Sequence, residues 1–223
     1  MSHHLLALLA ADVIGAVTLW KATRAGAPYP LAWSLGAWAA TAAFTTGLIP
    51  LQTTVAIARE RASDLPCRFA VARIPPLPAG PFDVVLLLET MLAFEEKDAL
   101  VGEVTAALRP RGRFAFTLEE GAPLTAAERA AMPDAGTVWL TPLHEMVACL
   151  ERAGLVVTHQ EDHSAAHRAT AQALAAAFAA DADDIAAQIG RRALEELLAA
   201  HRLWIEWLDE GRVRKLALVA EPG

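Results

Sequence analysis

Apolar residues run without a break from Val84 to Leu88, between Phe82-Asp83 and the polar pair Glu89-Thr90. An uninterrupted Val- and Leu-rich run of this length predicts a strand covered on both faces, as in a parallel sheet. From Lys97 to Leu108 the period changes, and Leu100, Val101, Val104 and Leu108 fall on one side of a helix. Arg109-Pro110-Arg111-Gly112 should stop that helix, since proline cannot continue it and glycine permits a sharp reversal. Arg113 to Thr117 then reads as a second strand, which makes the stretch a βαβ crossover.

The same patterning extends in both directions. His4 to Lys21 is a helix candidate that is apolar nearly all round, and Gly26-Ala27-Pro28-Tyr29-Pro30 breaks it. Thr125-Ala126-Ala127-Glu128 is a capping box. Thr141-Pro142 predicts an N-cap followed by proline at the first helical position, with Leu143, Met146, Val147 and Leu150 on the apolar face. Gly154 ends that helix, and Leu155 to Thr158 predicts a strand. An alanine-rich helix follows over Ala165 to Ala180. Asp181 to Asp184 caps another helix, in which Leu194, Leu197, Leu198, His201, Ile205 and Leu208 recur at helical spacing. Gly211 closes it, and Val213 to Ala220 predicts the last strand.

Composition narrows the class. The 223 residues can bury a sizeable core within one domain, and no internal repeat or linker divides them. Net charge is −7 and no basic stripe is visible, which argues against nucleic acid as a partner. Residues 25–58 carry no charge, yet they are built mostly from Ala, Gly, Thr and Ser, so buried core is expected rather than a membrane span. No basic region precedes Leu5, which argues against a signal peptide. Cys67 and Cys149 lack metal-ligand spacing, and a reducing cytoplasm is the expected location.

Three segments carry a family resemblance: Phe82-Asp83-Val84-Val85, Glu89-Thr90-Met91-Leu92, and Leu108-Arg109-Pro110-Arg111-Gly112-Arg113-Phe114. At this spacing the chain resembles class I S-adenosylmethionine (SAM) dependent methyltransferases, and within them the small-molecule type. The resemblance implies an α/β fold, a Rossmann-like seven-stranded sheet with helices on both faces and a helical cap. On that pattern residues 1–30 form an N-terminal cap helix, 31–158 the sheet core, 159–211 the helical cap and 212–221 the last strand. That strand would lie antiparallel between the fifth and the sixth.

It also implies where a cofactor would sit, and there the residues depart from the family. The first strand and its glycine-rich turn would fall on Leu31 to Thr41. Ser34 stands where relatives carry an acid, Gly36 is the glycine kept, and Trp38 and Ala40 replace two others. Ile49 occupies the position of the carboxylate that accepts from the ribose hydroxyls. Arg73 stands in place of the aspartate that binds the adenine amine, and an arginine has no acceptor. Ala93 occupies the position of a common histidine base. The cofactor-binding candidates are therefore Ser34, Gly36, Ile49 and Arg73, in a site altered from its relatives.

The catalytic candidates are Glu89, His144 and His163, with Glu119 also able to transfer a proton. They are expected to converge on one cavity at the carboxyl ends of the strands. Glu89 follows an apolar strand, where burial would raise its pKa towards acid–base use. The alternative is that it caps a helix or pairs with an arginine. His159, His163 and His167, with Glu161 and Asp162, invite a metal reading if they share a helix face. Pocket-lining or solvated histidines come ahead of proton transfer, and no metal is expected. Three functions remain open at this point: SAM-dependent methylation of a small molecule of specialised metabolism, a SAM-independent cyclisation or rearrangement, and a non-catalytic partner of an active methyltransferase. Expected partners are a small-molecule substrate and either a second copy of the chain or a partner methyltransferase.

Overall fold

The computed structural model of the chain describes residues 74–77, 79–133 and 135–223, together with residues 56, 59 and 60. Arg73–Gly223 forms one compact unit. Its first strand, β1, is Phe82–Leu87, and α1 is Lys97–Ala107. β2 spans Leu108–Glu120 and lies parallel to β1, so strand, helix and strand form the expected crossover. The turn expected at Arg109 to Gly112 is absorbed into β2. Phe82 pairs with Leu108 and Val84 with Arg113, so the intervening residues bulge, and Arg111 adopts a φ of 67°. A Cβ on Gly112 would come within 2.9 Å of the Arg109 carbonyl oxygen, which is why glycine is needed there.

A short helix, α2 (Ala126–Ala131), opens with the capping box: the Thr125 side chain accepts from the Glu128 N–H, and Glu128 accepts from the Thr125 N–H. Helix α3 is Leu143–Arg152. Its N-cap is Pro142 rather than Thr141, because Thr141 forms a bridge with Glu120 and the Leu143 N–H donates to the Glu120 carboxylate instead. β3 (Leu155–Asp162) runs four residues beyond the predicted strand. Three helices follow: α4 (Ser164–Ala180), α5 (Ala182–Ile189) and α6 (Arg191–Asp209). β4 (Arg214–Pro222) then enters the sheet antiparallel to both neighbours, giving the order β1-β2-β4-β3. This is the mixed half of the expected sheet. The other three strands of the expected seven fall on residues outside those described.

Alternation along β2 and β4 separates two faces. Phe114, Phe116, Leu118, Leu216, Leu218 and Ala220 point to one face and share a core with Leu100, Val101 and Val104 of α1 and Met146 and Leu150 of α3. Phe114 and Phe116 stack at 4.6 Å between centroids. Thr117, Glu119 and Lys215 point to the other face and are also buried. Among the described residues, no helix is long and apolar enough to cross a membrane.

Candidate functional site

The carboxyl ends of β1 and β2 lie at one edge of the sheet, and the first residues of antiparallel β4 meet them there. Glu89 follows β1, Glu119 is the penultimate residue of β2, and Lys215 pairs with Glu119 in register. The Lys215 ammonium donates to Glu89 Oε2 at 2.7 Å and to Glu119 Oε1, and its side chain is only 3% exposed. One buried cation therefore holds two carboxylates.

Glu89 has a φ of 58°, the left-handed region that costs a non-glycine residue roughly 1–2 kcal/mol. Two contacts hold it there: its N–H donates to Thr117 Oγ1 at 2.7 Å, and its carboxylate meets Lys215. Helix α4 is attached to the same point. The His163 N–H donates to the Lys215 carbonyl at 2.8 Å, and the Lys215 N–H donates to Ser164 Oγ at 2.9 Å. His167, one turn further along α4, lies within electrostatic reach of Lys215, Glu89 and Glu119.

These surroundings set the charges. Burial pushes the Glu89 carboxyl up, but the Lys215 ammonium, with His167 and Thr117 behind it, holds it below the ordinary 4.5. Burial pulls Lys215 down, yet Glu119 and Glu89 together keep it above 10.5. Burial, and then Lys215, hold His167 below 6.5 against the pull of the two carboxylates, so its imidazole is neutral at pH 7. Two buried polar atoms at this edge have no partner, Glu119 Oε2 and Thr90 Oγ1.

Nearby, the Lys97 ammonium donates to the carbonyls of Phe94 (2.7 Å) and Trp139 (2.9 Å), joining two loops above the edge. Burial lowers its pKa to about 8, against the pull of Glu119. A second apolar cluster includes Leu124, Met132, Leu140, Trp207 and Val213, with Trp204 against it. Trp204 and Trp207 meet edge to face at 5.4 Å.

Residues 32–116, which end inside β2, match the family described as methyltransferase domain. The fold agrees with that match. A candidate sarcosine dimethylglycine methyltransferase from Galdieria sulphuraria superposes with a TM-score of 0.68 at 14% identity, over 85% of this chain and 74% of that one. The described part of the chain therefore has the fold of class I S-adenosylmethionine-dependent methyltransferases. The cyclopropane synthase MmaA2 of Mycobacterium tuberculosis gives a TM-score of 0.68 at 12% identity, over 76% of this chain and 66% of that one. The [4+2]-cyclase SpnF gives 0.61 at 22% identity, over 76% of this chain and 63% of its own. None of the curated proteins compared matches the chain in sequence.

Within this methyltransferase fold the expected site residues part company. Glu89 and Glu119 do meet, through Lys215. His144 does not join them: its side chain is 82% exposed on α3, the helix packed against the opposite sheet face, with Glu145 at 4.0 Å. His163 touches the cluster through its backbone only, and its imidazole lies 3.5 Å from Glu161 on β3. The histidines do not share a helix face either, because His159 is on β3, His163 is the N-cap of α4 and His167 lies inside that helix. Among the described residues no group of His, Cys, Asp and Glu is placed to hold a metal. The expected upward shift of Glu89 is reversed by a lysine, where an arginine was the anticipated partner.

Ser34, Gly36, Trp38, Ile49 and Arg73 lie outside the described residues. Their chemistry still bears on SAM. The resemblance would put Ile49 and Arg73 at the cofactor's adenosine, where isoleucine accepts no hydrogen bond and arginine only donates. At the described edge, a carboxylate held below its usual range binds donors and cations better than it abstracts protons, whereas neutral His167 can accept one. Lys215 was not among the residues expected at the site, whereas His167 was expected only as one of a group of three histidines. The available signal for Lys215 was its place, with Arg214, at the start of the apolar strand run Leu216 to Ala220.

Proposed function

We propose that the chain acts on a small organic molecule at the carboxyl edge of its sheet, and that the reaction is methyl transfer from SAM. The observation that carries this reading is the methyltransferase-domain match over residues 32–116, which runs into the strand bearing Glu119. The chain's own residues would bind and orient the acceptor through Glu89, keep that carboxylate fixed and charged through Lys215, and take up a proton at the His167 imidazole. Trp204 and Trp207 supply apolar surface to the neighbouring cluster. No step is assigned to the cofactor itself, because the residues at its positions do not fit it well.

A second reading has its own support. Ser34, Trp38, Ile49 and Arg73 replace residues by which relatives hold SAM, and a [4+2]-cyclase has this fold. On that reading the same edge promotes a SAM-independent cyclisation or rearrangement by shape and a few polar groups.

Calorimetric titration with SAM and S-adenosylhomocysteine separates the two. Each missing charged partner costs roughly 1.5–3 kcal/mol, so the expected Kd is about 100 μM or weaker. Methylated product from a panel of small acceptors at millimolar SAM supports the first reading. Absence of any binding at millimolar concentration removes it and leaves the second. A Kd of a few micromolar would show that the backbone alone holds the cofactor, and that the altered positions matter little.

A further inference from the structure

Lys215 is the one described cation bonded to Glu89 and Glu119. Lys97 is bonded to two carbonyls, and Arg214 to Glu120 on the other sheet face, with Asp162 at 4.0 Å. Two carboxylates thus share one ammonium. The cluster is left with an acceptor, Glu119 Oε2, that is buried and unbonded on a side chain only 7% exposed. A buried carboxylate oxygen without a donor is costly, and native structures leave few of them. The cluster also has an open side, since 26% of the Glu89 side chain is exposed while Lys215 and Glu119 are covered. Thr90 Oγ1, next in sequence to Glu89, is a second unbonded polar atom at the same edge.

We propose that the Glu89–Lys215–Glu119 cluster is a recognition site for a protonated amine, whose ammonium enters along Glu89 and donates to that carboxylate and to Glu119 Oε2. An ammonium brings both things the cluster lacks, a positive charge and several N–H donors. A neutral hydroxyl brings a donor without the charge, and an anion would meet two carboxylates. Lys215 is the positioning residue. It holds both carboxylates in place, and through its backbone contacts with His163 and Ser164 it fixes the helix that carries His167. The site takes its location from the reading that the carboxyl edge is where small molecules bind, but it does not require SAM.

The test uses the full 15N-labelled chain without SAM, titrated with ethylammonium chloride. Ethanol serves as the neutral counterpart and potassium chloride as the ionic-strength control. The expected result is a saturable shift of the Glu89, Thr90 and Glu119 amides with ethylammonium and with neither control. Glu89→Gln should weaken this binding by roughly tenfold or more, the loss of a charged hydrogen bond. Glu119→Gln should do the same. Asp83→Asn, which removes an exposed carboxylate at the far end of β1, should leave binding unchanged. Circular dichroism checks each fold, and Glu89→Gln decides the matter should Glu119→Gln fail to fold. No saturable shift, an equal response to ethanol or potassium chloride, or an unchanged affinity in Glu89→Gln would overturn the proposal. Because SAM is absent, failure here leaves methyl transfer standing, and failure to bind SAM leaves the amine site standing.

Discussion

Leu118 and Glu119 are neighbours on β2, and Leu216 and Lys215 are neighbours on β4, yet each pair divides between two different environments. One face of these strands is an apolar core closed by α1 and α3. The opposite face carries a buried ion cluster at one edge, fixed by hydrogen bonds to α4. Both faces exclude water. The first is tolerant in chemistry and strict in volume, since any well-shaped hydrocarbon would serve. The second is strict in charge, since each member is stable only while the others remain. Burial alone therefore does not separate scaffold from site. What separates them is whether a residue's neighbours are replaceable.

The strongest way to break this contrast is from the apolar side. Phe116→Ala, in a fully packed position, should lose roughly 3–5 kcal/mol in denaturant unfolding and leave the pH dependence of stability unchanged. A loss under about 1 kcal/mol would mean that α1 and α3 close over the gap. On the other face, Lys215→Met leaves two buried carboxylates without their cation and should cost about 3 kcal/mol. Adding Glu119→Gln to it should recover part of that loss, so the double variant is more stable than additivity predicts. Simple additivity would show that the three groups do not act as a unit.

A pH scan sharpens the contrast further. In the native chain, Glu89 is held below 4.5, so its contribution is complete above that value and is lost as the pH falls through the lower folded pKa. Lys215 is held above 10.5, so its contribution is complete below that value and is lost as the pH rises through the folded pKa. In Lys215→Met the cation is gone and burial dominates Glu89, which reverses the sign of its effect. Between about pH 6 and 4 the variant should therefore lose less stability than the native chain, or gain some. Parallel curves would refute the electrostatic account of this face. The smallest effect is expected at His144, exposed on the far side: His144→Ala should change stability by no more than about 0.5 kcal/mol.

Local sequence was enough for the crossover and its neighbours. The apolar run of β1, the helical period of α1 and the capping box at Thr125 each depend on residues a few positions apart, so neighbouring chemistry decided them. The same signals placed Glu89 and Glu119 at strand ends, because strand ends follow from where apolar runs stop. They misjudged the length of β3, and with it the histidines. Polar residues on an exposed edge strand resemble a loop until a partner strand supplies the hydrogen bonds, as β4 does for His159 to Asp162. The N-cap of α3 was missed for a related reason: the capping carboxylate, Glu120, comes from another strand. The charge state of the site was settled by long-range pairing. Lys215 lies 126 positions beyond Glu89 in the chain, and antiparallel pairing with β2 alone brings it to the same edge. A pKa depends on what stands within a few ångströms, and for this pair that distance is a property of the fold rather than of any local stretch.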